Sequence, residues 1–397
     1  MEQKKDHLLL KIAIGIAAGI IIGFIISSIS GKVQHAALQT VASVGHILHQ
    51  VIFFMVPLII IGFVTPAITK LKTNAGKMLF TMLIVSYISS VGAALFAMTA
   101  GYIVIPKLNI ADNIDTLKTL PDLLFKLNID PMFAVTTALF LALSFGVAII
   151  STKSEMLEKL FNEVHNVMIF LVNKLLIPIL PFFVCTTFIE LTYSGLLTKQ
   201  FPAFVQMVLI VLIGHFIWIA FLYTLAGIIS RKNPLEVLKH YPKAYFMAIG
   251  TMSSAATLPV SLKCASKSKL LSKKIVDFVV PMGANIHLCG SVLTETFFVM
   301  GIYKLTMGTL PDISTMIIFI ILLGIFAIGA PGVPGGTVTA SLGIVTAILG
   351  FDKTGIGLLI AIFALQDSFG TACNVTGDGA LSLMMEGIFG KDNEKEA

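Results

Sequence analysis

The chain has 397 residues with 27 Lys and Arg against 21 Asp and Glu, so that 12% is charged, 56% is hydrophobic and the net charge is +6. An ordinary soluble domain is about 25% charged, and this chain has too little polar cover for its apolar excess. The composition argues against a soluble globule, a disordered chain and a nucleic-acid binder, and it places most of the chain in lipid.

A spanning helix needs about 20 mostly apolar residues, a barrel strand about 10 alternating ones. The apolar runs here are long and continuous, so the fold class is all-α, a polytopic membrane protein. Spans are predicted near 8–29, 43–68, 78–105, 131–151, 154–194 and 203–230, the fifth bent at Pro178 and Pro181. Beyond them, segments near 236–265 and 312–350 are interrupted by small residues, Pro and Gly. They flank long apolar stretches near 272–308 and 354–390. The first span follows Met1-Glu2-Gln3-Lys4-Lys5. Its apolar run is too long for a signal peptide and no small-residue cleavage pattern follows, so it reads as a retained helix.

Orientation follows the Lys/Arg bias of short loops. Lys4 and Lys5, Lys70, Lys72 and Lys77, Arg231 to Lys243, and Lys263 to Lys274 fall on one side if both interrupted segments are hairpins that return to the face they entered from. That side is cytoplasmic, in a cell membrane with both termini inside. The loop at 106–130, with Asp112, Asp115, Asp122 and Asp130, is on the other side.

Cys185, Cys264, Cys289 and Cys373 have neither disulfide-framework nor zinc spacing. No nucleotide-binding, metalloprotease or nucleophile-elbow motif occurs, and no nucleophile–base pair is visible, so an enzyme with a cofactor is not expected. His46 and His49 share a helix face in an apolar span and read as packing residues.

Three features carry chemistry. The first is the pair of hairpin tips near 251–257 and 327–337: Thr251-Met252-Ser253-Ser254-Ala255-Ala256-Thr257-Leu258-Pro259 and Ala330-Pro331-Gly332-Val333-Pro334-Gly335-Gly336-Thr337. Such sequences break helices. Broken helices in lipid leave orphan backbone groups, which are tolerated where they line a polar cavity or bind something. The second is Asp367, Thr371, Asn374 and Asp378 in the last span. At 3.6 residues per turn these positions fall within about 40° of one another. An acid at helix centre costs at least about 2.5 kcal/mol, so two on one stripe imply an ammonium group, a metal cation or a proton as partner. The third is the break at Gly283-Ala284-Asn285-Ile286-His287-Leu288-Cys289-Gly290-Ser291, followed by Glu295. Glu295 reads equally as a proton carrier or a buried structural acid.

These residues resemble the dicarboxylate/amino acid:cation symporter family, which includes glutamate and neutral amino acid transporters. The resemblance runs through nearly the whole chain. Its specific parts are the serine-bearing tip before Thr257-Leu258-Pro259, the Gly332-Val333-Pro334-Gly335 tip and Asp367…Asn374-Val375-Thr376-Gly377-Asp378. It implies eight transmembrane helices plus two re-entrant hairpins, built as inverted repeats and assembled as a homotrimer in lipid. A scaffold of roughly 8–71 and 131–195 would hold the trimer. A mobile transport unit of roughly 78–105 and 203–390 would carry substrate by an elevator movement. By matching positions, Asp367 would hold a substrate ammonium. Asn374, Ser253 and Ser254 would hold its carboxylate. Thr257, Gly332, Val333, Gly335, Gly370 and Thr371 would complete the substrate site. Asp378 and Asn374 would help to coordinate sodium, and Ser89 and Ser90 fall near another sodium site.

Departures from the family pattern shape the expected function. Members that carry acidic amino acids supply an arginine where this chain has Met252 or Gly370. Without it a substrate's side-chain carboxylate would be buried unpaired, so a small neutral amino acid is expected, with Gly370 leaving room for its side chain. The usual Asn-Met-Asp-Gly-Thr of the seventh helix is here His287-Leu288-Cys289-Gly290-Ser291. A thiol is a poor ligand for a hard cation, so fewer sodium ions are expected, with His287 or Glu295 taking a proton in coupling. Three alternatives stand: a dicarboxylate substrate paired with protonated His287, a channel-like protein, and a non-transporting binding protein.

Overall fold

The computed structural model describes residues 8–69, 77–108, 121–125, 127, 129–132, 135–330 and 335–393. Among them all regular structure is helical. Seven helical stretches are long and apolar enough to cross a membrane. The first three are α1 (Leu8–Ser28), α2 (Lys32–Thr69) and α3 (Lys77–Val104). α2 begins earlier than the apolar run at 43–68 and has 38 residues, because its polar first turns are themselves good helix formers.

The span expected at 131–151 is the shorter α4 (Val135–Thr152), whose apolar run Phe140–Thr152 is not of crossing length. Lys153, at a φ of 54°, turns the chain. Ser154 then caps α5 (Glu155–Leu171), its side chain accepting from Leu157 N, with Glu155 and Glu158 in the first turn. α5 runs through a π-helical turn, Val172–Leu176, into α6 (Ile177–Ser194). The interruption expected at Pro178 and Pro181 is therefore this wider turn, which precedes the first proline. Pro178 has no N–H to give to a helix carbonyl, and a π turn is one way to absorb that loss.

α1 lies against α6 at backbone contact distance. A Cβ added at Gly15 would come within 2.5 Å of Pro181 O, and one at Gly19 within 2.6 Å of Cys185 O. Gly23 is as close to Thr192. Glycines four apart allow such an approach, and van der Waals packing is what holds helices together in lipid.

α7 (Leu196–Ser230) is followed by the short α8 (Pro234–Leu238) and the first hairpin, α9 (Pro242–Thr251) and α10 (Ser254–Ala265). The second hairpin is α13 (Ile313–Gly329) and α14 (Gly336–Leu349). Arms of 10 to 17 residues rise about 15–26 Å, short of a hydrocarbon core about 30 Å thick. Between the hairpins the long stretch is broken into α11 (Lys273–Ile286) and α12 (Cys289–Met307). The break is narrower than the glycine-flanked stretch suggested: only His287 and Leu288 leave helical geometry, at φ −113° and −117°.

α15 (Lys353–Asn393) is continuous despite its glycines. Nearly every residue from 355 to 386 is buried, with α7, α9, α11 and α12 packed around it. Large apolar side chains such as Phe140, Phe182 and Phe246 are instead exposed on the outside, the inversion expected of a lipid-facing surface.

Candidate functional site

The site is assembled on α15, whose polar stripe is buried along its length: Asp367, Thr371, Asn374 and Asp378 are each less than 5% exposed. The 3.6-residue period puts them on one face, and the broken elements of the fold meet that face.

Asn374 and Asp367 stitch two helix N-termini together. The Asn374 Oδ1 accepts from the backbone N–H groups of Gly290 (2.7 Å) and Ser291 (3.3 Å). These are orphan donors of the first turn of α12, so Asn374 caps that helix from another one. Its Nδ2 donates to Ser291 Oγ at 3.0 Å. Ser291 Oγ in turn lies 3.4 Å from Asp367 Oδ1. The other oxygen of Asp367 accepts from Gly335 N at 2.8 Å. Gly335 is the N-cap of α14, at a φ of 70°, so the carboxylate sits at the positive end of a helix. The second hairpin tip thus closes directly on Asp367.

The expected substrate residues fall into three groups. Asp367, Asn374 and Gly335 are brought together. Ser253, Ser254 and Thr257 form a hydroxyl knot at the first tip. There Ser253 Oγ caps α10 by accepting from Ala256 N at 3.2 Å, and Thr257 Oγ1 donates to Ser253 O at 2.9 Å and lies 2.8 Å from Thr251 Oγ1. Gly332 and Val333 lie outside the described residues. Thr371 is buried on the stripe. Gly370 does not leave room for a side chain. A Cβ there would lie 3.3 Å from Ser291 N and 3.4 Å from Thr294 Oγ1, and one on Gly290 would meet Gly370 O at 2.4 Å. The glycine is there because α12 and α15 touch at this point.

Asp378, one turn further along, has a different partner. Its Oδ1 accepts from His287 Nδ1 at 2.9 Å, and the Nε2 of the same ring lies 2.9 Å from Ser89 Oγ on α3. His287 is completely buried. Ser90 Oγ is buried without a hydrogen-bond partner. Glu295, on α12, is also completely buried. Its Oε1 accepts from Ser341 Oγ on α14, while its Oε2 has no partner.

Two functional neighbours escape a reading of the sequence. Ser341 follows Thr337 and Thr339 in an apolar arm, and three hydroxyls at spacings of two in a buried helix were the signal. His215, in the apolar α7, lies 3.1 Å from Gly290 O and 2.9 Å from Thr294 Oγ1, bracing the start of α12. His46 bonds Leu127 O and His49 stacks on Phe183. Among the described residues, no three His, Cys, Asp or Glu side chains are grouped to hold a metal ion.

Comparison with known proteins follows this geometry. Excitatory amino acid transporter 2 of Mus musculus is 29% identical over 243 residues, covering 59% of this chain and 41% of that protein. Neutral amino acid transporter B(0) of Homo sapiens is 30% identical over 243 residues, covering 60% and 44%. Excitatory amino acid transporter 5 of Mus musculus is 32% identical over 165 residues, covering 42% and 29%. The matched part is thus less than half of each relative's length. Residues 8–388, which carry every helix and every site residue described above, match the sodium:dicarboxylate symporter family, and the chain belongs to that family.

Proposed function

We propose that this chain is a secondary active transporter of the membrane, a symporter that couples the movement of a small neutral amino acid to a cation. The observation that carries the substrate class is the surroundings of Asp367. This carboxylate is buried among a backbone N–H and a hydroxyl, and is placed to take an ammonium group. The whole sequence contains one arginine, Arg231, and it is the exposed C-cap of α7. No guanidinium is therefore available to grip a second carboxylate, and burying one unpaired costs several kcal/mol, on the order of what abolishes binding. The test is uptake into proteoliposomes of labelled serine, alanine, threonine, aspartate and glutamate. Neutral amino acids are expected to accumulate against their gradient. Preferential uptake of aspartate or glutamate would sink the reading, and binding without accumulation would favour a sensor.

A dicarboxylate substrate paired with His287 is the weaker reading, because both ring nitrogens of that histidine are already engaged by Asp378 and Ser89. For the same reason we assign proton carriage to Glu295, whose free Oε2 is the place for a carried proton. Its Oε1 reaches Ser341 of the second hairpin, so protonation there bears on the element that closes over Asp367. Glu295→Gln is expected to remove the response of uptake to an imposed proton gradient. An unchanged response refutes the assignment.

The elevator division has support in how the helices pack. α1, α2, α4, α5 and α6 pack mainly on one another, and α3 joins α7 to α15. Across the boundary α2 touches the second hairpin and α6 touches α15. A homotrimer held by the first group, with the lysine-rich loops and both termini cytoplasmic, completes the proposal. Crosslinking in native membranes and accessibility of single cysteines in the loops test these two points.

A further inference from the structure

The resemblance places sodium ligands at Asp378, Asn374, Ser89 and Ser90, and three of these four do not present free oxygens to an ion. Asp378 Oδ1 and Ser89 Oγ each lie 2.9 Å from opposite nitrogens of the His287 ring. The ring thus holds them its own width apart, with its bulk between them. Asn374 Oδ1 is spent on Gly290 N and Ser291 N. The walls are close as well: a Cβ on Gly283 would come within 2.4 Å of Asp378 Oδ1, and one on Gly377 within 2.9 Å of His287 Cε1. Hard cations need several oxygens converging on one point, and here the point is filled by imidazole.

We infer that the His287 side chain is a tethered occupant of a cation position between α3, the α11–α12 break and α15, and that no monovalent cation binds between Ser89 and Asp378. The helix break makes this possible. His287 has extended backbone while its N–H still bonds Gly283 O at 2.9 Å, so the side chain is aimed by a fixed peptide rather than by a helix face. A buried aspartate in a membrane needs a compensating donor, and a diffusing ion meets that need only while it is bound. A covalently attached ring meets it in every state and cannot be released. The position therefore contributes nothing to coupling, and the transport cycle uses one cation fewer than the oxygen set would otherwise admit.

This inference rests on the symporter reading for its meaning, but its readout does not need a substrate. The experiment is the equilibrium binding of radioactive sodium to the purified full-length protein in detergent. His287→Asn removes the ring and leaves a short oxygen-bearing side chain, and it is expected to bind one sodium ion more per protomer than the wild type. In the wild-type background, Asp378→Asn is expected to leave the number of bound sodium ions unchanged. A folded His287→Asn protein with the wild-type number, or an Asp378→Asn protein that loses one ion, overturns the inference. Should His287→Asn fail to fold, the Asp378→Asn count alone decides. Failure of the wild type to transport any amino acid would instead overturn the symporter reading and leave these counts standing.

Discussion

The contact between α12 and α15 yields a sharp prediction. Gly290 is the second residue of α12, and a Cβ there would lie 2.4 Å from Gly370 O, 2.5 Å from Cys373 Cβ and 3.1 Å from Cys373 Sγ. Ordinary contacts of carbon lie at about 3.5–4.0 Å, so Gly290→Ala forces the helices apart by about 1 Å. The atom in the way is a backbone oxygen within a continuous helix, which cannot swing aside. Overpacking of this kind costs about 1–3 kcal/mol. The same parting stretches the two bonds to Asn374 Oδ1, now 2.7 and 3.3 Å, each worth about 1 kcal/mol net. The total is about 3–5 kcal/mol. Gly250→Ala supplies the control. It is also a helical glycine, but a Cβ there meets nothing within 4 Å, and replacement is expected to stabilise by up to about 0.5–1 kcal/mol. Thermal unfolding in detergent, followed by fluorescence, ranks the three proteins. The expected order of midpoints is Gly250→Ala at or above wild type and Gly290→Ala well below both. A Gly290→Ala midpoint equal to wild type would refute the account of the contact, and with it the claim that Gly370 is a packing residue.

Further expectations concern charge and specificity. Lys353 Nζ pairs with Glu190 Oε1 at 2.7 Å, with side chains 21% and 10% exposed. Glu190→Gln is expected to cost about 1–3 kcal/mol, less than the 3–5 of a fully buried pair, and the exchange of the two residues to recover part of it, as measured by the same melts. Met252 sits at the first tip with a φ of 52°. Arginine, also unbranched at Cβ, adds no new backbone strain there, so Met252→Arg is expected to bring uptake of aspartate, measured against serine in the same vesicles. Gly370→Arg is expected to give unfolded or inactive protein, because its Cβ already meets Ser291 N at 3.3 Å. An active Gly370→Arg protein would return that position to the substrate site.

Much of this was legible in the chain, for definite reasons. Pro and Gly mark where helices break in any context, so the hairpins and the interruption before Cys289 could be placed without coordinates. Helical periodicity is local, so the polar face of α15 follows from Asp367 and its spacing to Asp378. Pairings between segments do not follow. His287 and Asp378 are 91 residues apart, and Glu295 and Ser341 are 46 apart. The histidine also lies where the backbone leaves the helix, so no periodicity gives its direction. Gly370 was misjudged for a related reason: a glycine reads as space until the surface facing it is known. α4 is shorter than its hydropathy suggested because the turn at Lys153 and the cap at Ser154 stop it, and the cap belongs to the next helix.

The π turn between α5 and α6 has a consequence for how the family can vary in length. It holds one residue more than a regular turn would, with Ile177 N bonded back to Val172 O. Deleting a residue from 172–176 would restore a continuous α-helix and turn everything after it by about 100°. Glu190 would leave Lys353, and Pro181, Cys185 and Thr192 would leave the glycines of α1. The turn therefore works as an index mark. Insertions and deletions can accumulate in the loops on either side, but the count of residues through this rod must be conserved for its far half to present the same face.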